Sequence, residues 1–397
     1  MTLAYRAFDM STPAPAPTAD LSIRQVSGLG PDGRPLLSVL ARRTYRIDNK
    51  GTLEPLGEAT PLVVDALPDP TAPDLLAADT DLWPFKPQTD IVVLGHAYGE
   101  EPSFRAAITI GNHRTSFQIF GERRAGRKAS GEIEFTAPAP LRDGRVPLSP
   151  LFAYGGRDAA SEAEAGNPLE PLRGEFVADI DMTALSPFLY PRNPWGRGYV
   201  VRATDAAVGA ALLPQIEDPH DLLTPARLVA ERPARWPLMP LPVGCGWLPY
   251  GAFVRLACLR LVPLGERPAK PIAEVVNGWL PANILDPVTP TAADTFRLAQ
   301  SAWPAMRCGP LTGGETIVLE RLHRRFVRLN LTLPTRRPDL RIDGRQSKLT
   351  VTKPVLHTVL IEPDEDRVTL VWRGTEHALR QYTEDELQRM PFVARFT

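Results

Sequence analysis

A chain of 397 residues is long enough for two or three ordinary domains, or for one large β domain with insertions. Its 43% apolar and 23% charged residues describe a folded globular protein, and a net charge of −1 lacks the basic excess that a nucleic-acid binder carries for phosphates. The 43 prolines and 29 glycines interrupt helices and central strands, so short elements joined by many ordered turns are expected.

Residues 1–20 form a leader, with the Pro/Ala run STPAPAPTAD at its end; such a run suits an extended, poorly ordered segment. The start MTLAYRAFDM has no apolar run behind a basic cluster, so no signal peptide is expected. No stretch approaches the roughly 18–20 apolar residues that span a bilayer. Strand signals then dominate, at 36–47, 90–98, 104–111 and 115–121, the last two joined by the turn Asn112-His113-Arg114. Further strands are expected at 174–182, 252–261, 315–322 and 326–334. A closing hairpin pairs 355–363 with 367–374 through Asp364-Glu365-Asp366.

Helical signals are few: 222–232, 292–303 and 383–390, the last with Thr383 and Glu386 at capping-box spacing. The proline-dense stretch 232–251 is too apolar for a flexible linker and reads as an ordered loop packed on the core. These signals predict a mainly β fold of antiparallel sheets, sandwich or barrel-like, with long Pro/Gly-rich ordered loops and a few short helices. The divisions expected are an N-terminal β unit over 21–155, a loop-rich middle over 156–310 and a C-terminal β unit over 311–397.

The chemistry-bearing patterns each have an ordinary structural reading beside the functional one. Gly28-Leu-Gly30-Pro-Asp-Gly33 has the letters of a dinucleotide loop, but a strand rather than a helix follows it, so a hairpin is expected. The three cysteines, Cys245, Cys258 and Cys308, match neither a zinc knuckle nor a C-x-x-C redox pair; they read as thiols in a reducing compartment, which is expected to be the cytoplasm. Asp179 and Asp181 share one face of an expected strand, which suits paired carboxylates or a solvent-facing polar stripe. Glu217, Asp218 and Asp221 surround His220, a possible metal site or a solvated loop. No cofactor, metal site or catalytic set is expected from these patterns.

More distinctive are loops punctuated by glycine, proline and aspartate, which fix backbone shape rather than supply chemistry. In chain order they are Arg43-Thr44-Tyr45, then Lys86-Pro87-Gln-Thr89-Asp90 leading to Gly95, then Gly121-Glu122-Arg123. Pro147-Leu148 with Tyr154-Gly155-Gly156 follows, then Asn193-Pro194-Trp-Gly196-Arg-Gly198-Tyr and Leu213-Pro214-Gln-Ile216-Glu217-Asp218-Pro219. Thr358-Val359 and Val371-Trp372-Arg373-Gly374 close the series. In this order, over about residues 36–374, they resemble a bacterial family long catalogued as a domain of unknown function and encoded beside type VI secretion spike genes. The family's Trp-x-x-Arg string is represented by Phe253-Val-Arg255, and its Ala-Pro-x-Asp-Gln string by Leu298-Ala-Gln300-Ser-Ala.

The resemblance implies a non-catalytic adaptor or chaperone that binds a secretion effector or its PAAR-like tip domain and helps load it on the spike protein. Protein partners are expected, with no nucleic acid and no membrane. The loop aromatics Trp195, Tyr199, Trp247, Tyr250 and Trp303 are candidate anchors for such a partner, or pins for their own loops. Two other classes stay open at this point. One is a hydrolase or carbohydrate-active enzyme using the acidic strand or loop, and the other is a structural component secreted with the spike.

Overall fold

The computed structural model describes residues 20–156, 193–230, 239–249, 299–343, 348–351 and 354–396. The expected leader up to residue 19, the strands at 174–182 and 252–261, and the pair Asp179/Asp181 lie outside the described residues, as do Tyr250 and Cys258.

The strands of the two principal sheets are, in chain order, β1 (Ser22–Leu29), β2 (Pro35–Ile47), β3 (Leu53–Pro55), β4 (Thr89–Val93), β5 (Ser103–Ile110) and β6 (His113–Phe120). After them come β7 (Ile216–Glu217), β8 (Arg307–Cys308), β9 (Thr316–Glu320), β10 (Arg328–Thr332), β11 (Val355–Glu362) and β12 (Arg367–His377). One sheet has seven strands in the order β1-β2-β12-β11-β4-β8, with β3 added to β2; the other has five in the order β7-β6-β5-β9-β10. The pairings are antiparallel except that β11 runs parallel to β4, with Val359 opposite Ile91. The mainly β, antiparallel reading therefore holds, and the described residues contain no closed barrel. The positions near 155 and 311 do not separate the sheets, because each sheet draws strands from both sides of them.

The two sheets solve burial differently. The central strands of the seven-stranded sheet are covered on both faces: β4 is buried at every residue, and β11 and β12 are buried through Leu356–Ile361 and Val368–Gly374. The five-stranded sheet keeps the alternation of a half-solvated surface, with Thr115, Phe117 and Ile119 inward on β6 and Leu329 and Leu331 inward on β10. Val39, Ile91, Ile361 and Leu370 from the first sheet join Ile108, Phe117 and Leu319 from the second in one contiguous core.

Several local expectations meet the structure closely. The Gly28–Gly33 string is a hairpin turn between β1 and β2, closed by the Gly30 amide donating to the Arg34 carbonyl at 2.7 Å. The β5–β6 turn is tighter than expected: Ile110 pairs with His113, leaving Gly111-Asn112 as the loop. The strand expected over 90–98 is two pieces. The chain leaves the central sheet at Leu94-Gly95, and His96–Tyr98 pairs instead with Arg145–Pro147.

Of the helix expected over 222–232, the described residues 222–230 hold a single 3-10 turn, Pro225–Arg227, with Pro225 at its first position. Of the helix expected over 292–303, the described residues 299–303 are not helical, and Ala302 forms a β-bridge with Trp247. The described part of the proline-dense stretch, residues 239–249, is an irregular, largely buried loop; its Cys245 carbonyl accepts from the Val93 amide at 2.7 Å.

Two short α-helices are described, α1 (Asp205–Ala210) and α2 (Glu384–Gln388). The second has the full capping box foreseen: Thr383 accepts from the Glu386 amide, and the Glu386 carboxylate accepts from the Thr383 amide. Arg380 also grips that carboxylate at 2.6 Å, and with the cap it holds the Glu386 pKa down to about 2, from an ordinary 4.5. A depressed carboxyl contributes stability that is fully present above its unfolded pKa and lost as pH falls through its folded value. An NMR carboxyl titration is thus expected to place Glu386 near 2, and to return it toward 4.5 in the Arg380→Gln chain, with fraying of α2 confined to the window below pH 4.5.

Candidate functional site

The family-type loop strings are the natural place to look for a site, and the structure brings them together in pairs. The first pairing centres on Lys86 and Asp90. The Lys86 ammonium lies 2.7 Å from Asp90 Oδ2, and both side chains are almost completely excluded from solvent. Lys86 also donates to Ser301 Oγ at 3.1 Å and to Thr358 Oγ1 at 3.3 Å, while the Ser301 amide donates to the same Asp90 oxygen at 2.7 Å. Thr89 adds a second tie, its hydroxyl donating to the Leu356 carbonyl and accepting from the Leu311 amide. One loop thereby fastens β4, β11 and the segment 299–311.

The second pairing joins Gly121-Glu122-Arg123 to the Leu213–Pro219 string. The buried Arg123 guanidinium forms a short ion pair with Glu217, donates to the Pro214 carbonyl at 2.5 Å and stacks 3.7 Å above the Phe120 ring. Burial pushes the Glu217 carboxyl up from its ordinary range, against the pull of Arg123 and the Leu223 amide. Asp218 accepts from the His220 amide in a local turn, and Asp221 pairs with Arg227 at 2.6 Å. The acidic residues around His220 therefore have separate tasks. Among the described residues no three His, Cys, Asp or Glu side chains are grouped to hold a metal ion.

The third pairing docks Tyr154-Gly155-Gly156 against Asn193–Tyr199. Tyr154 and Gly155 run parallel to Arg197 and Gly198, and the Tyr199 amide donates to the Gly155 carbonyl at 3.0 Å. Buried Asn193 donates through Nδ2 to the carbonyls of Pro150 and Tyr154, and its own carbonyl accepts from the amides of Gly156 and Gly196. Gly155 has φ of +137°, and a Cβ there would stand 2.0 Å from the Asn193 carbonyl oxygen, so only glycine fits. Pro194 and Trp195 sit at the tip of this turn, half-buried.

The aromatic candidates divide on burial. Tyr199, Trp247 and Trp303 are buried, as is Trp372, so their rings pin loops to the core instead of offering a face to a partner. Trp303 shows why: its indole packs where a Cβ on Gly244 would approach to 2.6 Å, holding the proline-dense loop down. Trp195 alone of the described candidates keeps a partly open ring. The thiols are likewise enclosed; burial pushes Cys245 upward, and burial with the nearby Glu315 and Asp90 charges pushes Cys308 up to about 12.

What the loop strings did not disclose is the far side of the Lys86 cluster. Arg373, on β12, is buried, donates from Nη1 to the Lys86 carbonyl at 3.0 Å and stacks 4.5 Å from the Phe85 ring. Its Nε, sealed from solvent, has no acceptor among the described residues, and none of their carboxylates lies within ion-pair distance. Burial lowers its pKa to about 10, which leaves it charged at neutral pH. His357, on β11, is fully buried with both ring nitrogens unpaired; burial and the charges of Lys86 and Arg373 hold it well below its ordinary value, hence neutral.

Arg373 reaches an open cleft of about 470 Å³ at the end of the seven-stranded sheet, with Leu36, Phe85 and Val355 as apolar walls and Thr375 beside it. At the rim Asp32 is held by Arg34 at 2.5 Å, with His377 Nε2 3.8 Å away. The β11–β12 turn carries a second polar surface. There Asp364 accepts from His96 and from Tyr98, each at 2.6 Å, while Asp366 pairs with His323 and Arg325. Because the Arg325 amide donates to His323 Nδ1, the proton of that ring resides on Nε2 and points at Asp366.

Fold and site together define a mainly β scaffold whose distinctive loop residues are mostly interior fasteners. A family profile described as "Uncharacterized protein conserved in bacteria (DUF2169)" matches residues 32–373, and the chain belongs to that family. No curated protein and no solved structure matches it.

The buried pair makes a direct prediction. Removing one partner strands the other charge in the interior, so Lys86→Met is expected to cost about 3–5 kcal/mol in urea unfolding. Adding Asp90→Leu to it should recover a good part of that loss. A Lys86→Met chain no less stable than one lacking an exposed pair would show that water reaches the cluster.

Proposed function

We propose that this chain is a non-catalytic adaptor of type VI secretion, which binds an effector or its PAAR-like tip domain and helps load it on the spike. The observation that carries this reading is the use of the family-type loop residues. Lys86, Asp90, Arg123, Glu217, Gly155 and Asn193 are spent on joining distant segments into a stiff body. Such a body holds surface loops in fixed relative positions, which suits capture of another protein with little ordering cost.

Bacterial family membership over residues 32–373 is consistent with the reading, and the ordered series of loop strings over about 36–374 is its source. No helix among the described residues is long and apolar enough to cross a membrane. The half-buried turn Pro194-Trp195 is the described surface most open to a partner among the aromatic candidates.

The test is affinity capture of the tagged full chain from its native host, with and without the neighbouring spike and effector genes, read by mass spectrometry. A stoichiometric effector or PAAR-like protein that vanishes with its gene is the expected result. A chain recovered alone under both conditions would overturn the reading. In the same assay Trp195→Ala is expected to weaken capture at least tenfold while leaving the melting temperature within a few degrees, as for other half-exposed interface aromatics.

A further inference from the structure

The cluster behind Lys86 is electrically incomplete. Asp90 neutralises Lys86, and His357 is neutral, so the charge of Arg373 has no counterpart among the described residues. A buried, unpaired cation is costly, and native structures normally give it an anion or coordinate it with further acceptors. Of its donors, Nη1 is committed to the Lys86 carbonyl and Nε is closed off from solvent, whereas Nη2 has no acceptor among the described residues. Nη2 is the guanidinium nitrogen left to make a charge-assisted hydrogen bond to a carboxylate.

We propose that the cleft at the end of the seven-stranded sheet is a binding site for an organic carboxylate, held by the guanidinium of Arg373 with its apolar portion against Phe85, Leu36 and Val355. The cleft meets each requirement of such a site. Arg373 lines it, its apolar walls are continuous with that guanidinium, and about 470 Å³ is ample for a small acid or the last residues of a peptide. Stacking on Phe85 fixes the guanidinium plane before any ligand arrives, so little side-chain freedom is lost on binding. At the mouth, Arg34 offsets the charge of Asp32, and Glu376 is exposed to solvent, so neither acid dominates the approach. The shared chemistry is a carboxylate beside an apolar group, which a free acid and a peptide C-terminus both present. The site is independent of the adaptor reading and stands or falls separately from it.

Calorimetric titration of the full chain with phenylacetate, with N-acetyl-Gly-Phe and with the amide of that same dipeptide tests the assignment. Binding of at least one acid, with none of the amide, is expected. Arg373→Gln should weaken it about tenfold or more, the usual effect of losing a charge-assisted pair. Val355→Trp, which fills the cleft from the half-buried position opposite Arg373 in the ladder, should abolish binding in a chain whose circular dichroism and melting are unchanged. It therefore keeps the test open if Arg373→Gln fails to fold. Binding of phenylacetate alone would identify a free acid as the source, and binding of the dipeptide alone a chain terminus. No binding of either acid, equal binding of acid and amide, or affinity indifferent to both substitutions would overturn the proposal.

Discussion

The interaction on which most of this structure depends is the ion pair of Lys86 and Asp90. Neither partner could be buried alone, since an isolated charge in a dry interior costs several kcal/mol. Together, with Ser301 and Thr358 completing the ammonium's bonds, they fix where β4 enters the sheet. That matters because β4 lies parallel to β11 and cannot be placed by a hairpin; it needs some specific bond to set its register. The pair supplies it, with Thr358 opposite Asp90 in the ladder. Replacing the pair by two apolar residues could leave the chain as stable and less uniquely folded, the familiar trade between burial and register.

The same cluster explains why fasteners and a candidate ligand site lie side by side. Lys86 turns its ammonium inward to Asp90 and its carbonyl outward to Arg373. The guanidinium is thereby positioned by the backbone of the very loop that locks the sheet. A site built this way is rigid because the scaffold beneath it is, which is the usual condition for a few polar groups to bind selectively. The other fasteners, Arg123 with Glu217 and Asn193 with the Gly155-Gly156 turn, work on described loops whose backbone polar side chains must satisfy.

Strand positions were legible in the sequence wherever periodicity was strong. The hairpin β5–β6 and the hairpin β11–β12 follow from alternation and turn residues, and the helix α2 from Thr383 and Glu386. Pairing between distant strands was not legible, because β2 meets β12 through side chains that look like any apolar strand. The expected helix at 222–232 failed because apolar spacing outweighed Pro225 in the reading, while in the structure the proline decides. Loop aromatics carry no sequence mark of which way they face, so Tyr199, Trp247 and Trp303 could be placed only once Gly244 and its neighbours were seen against them. Arg373 was recognisable as part of a recurrent string, but its missing counter-charge is a property of the assembled interior. His357 and Thr358, adjacent in the otherwise apolar β11, were the available hint that polar groups gather there.

The central position of β12 has a consequence for biosynthesis. It lies between β2 and β11, and Ser38 touches Thr375 across 337 positions of chain. As the polypeptide emerges from the ribosome, β2 has its hairpin partner β1 within a few residues, but its other edge stays unpaired until almost everything else has been made. An apolar strand with an open edge, waiting that long, is a substrate for holding chaperones and a seed for intermolecular pairing. The protein's yield in a cell should therefore be governed by the interval between synthesis of its first strands and arrival of the strand that closes them, more than by the final stability of the sheet.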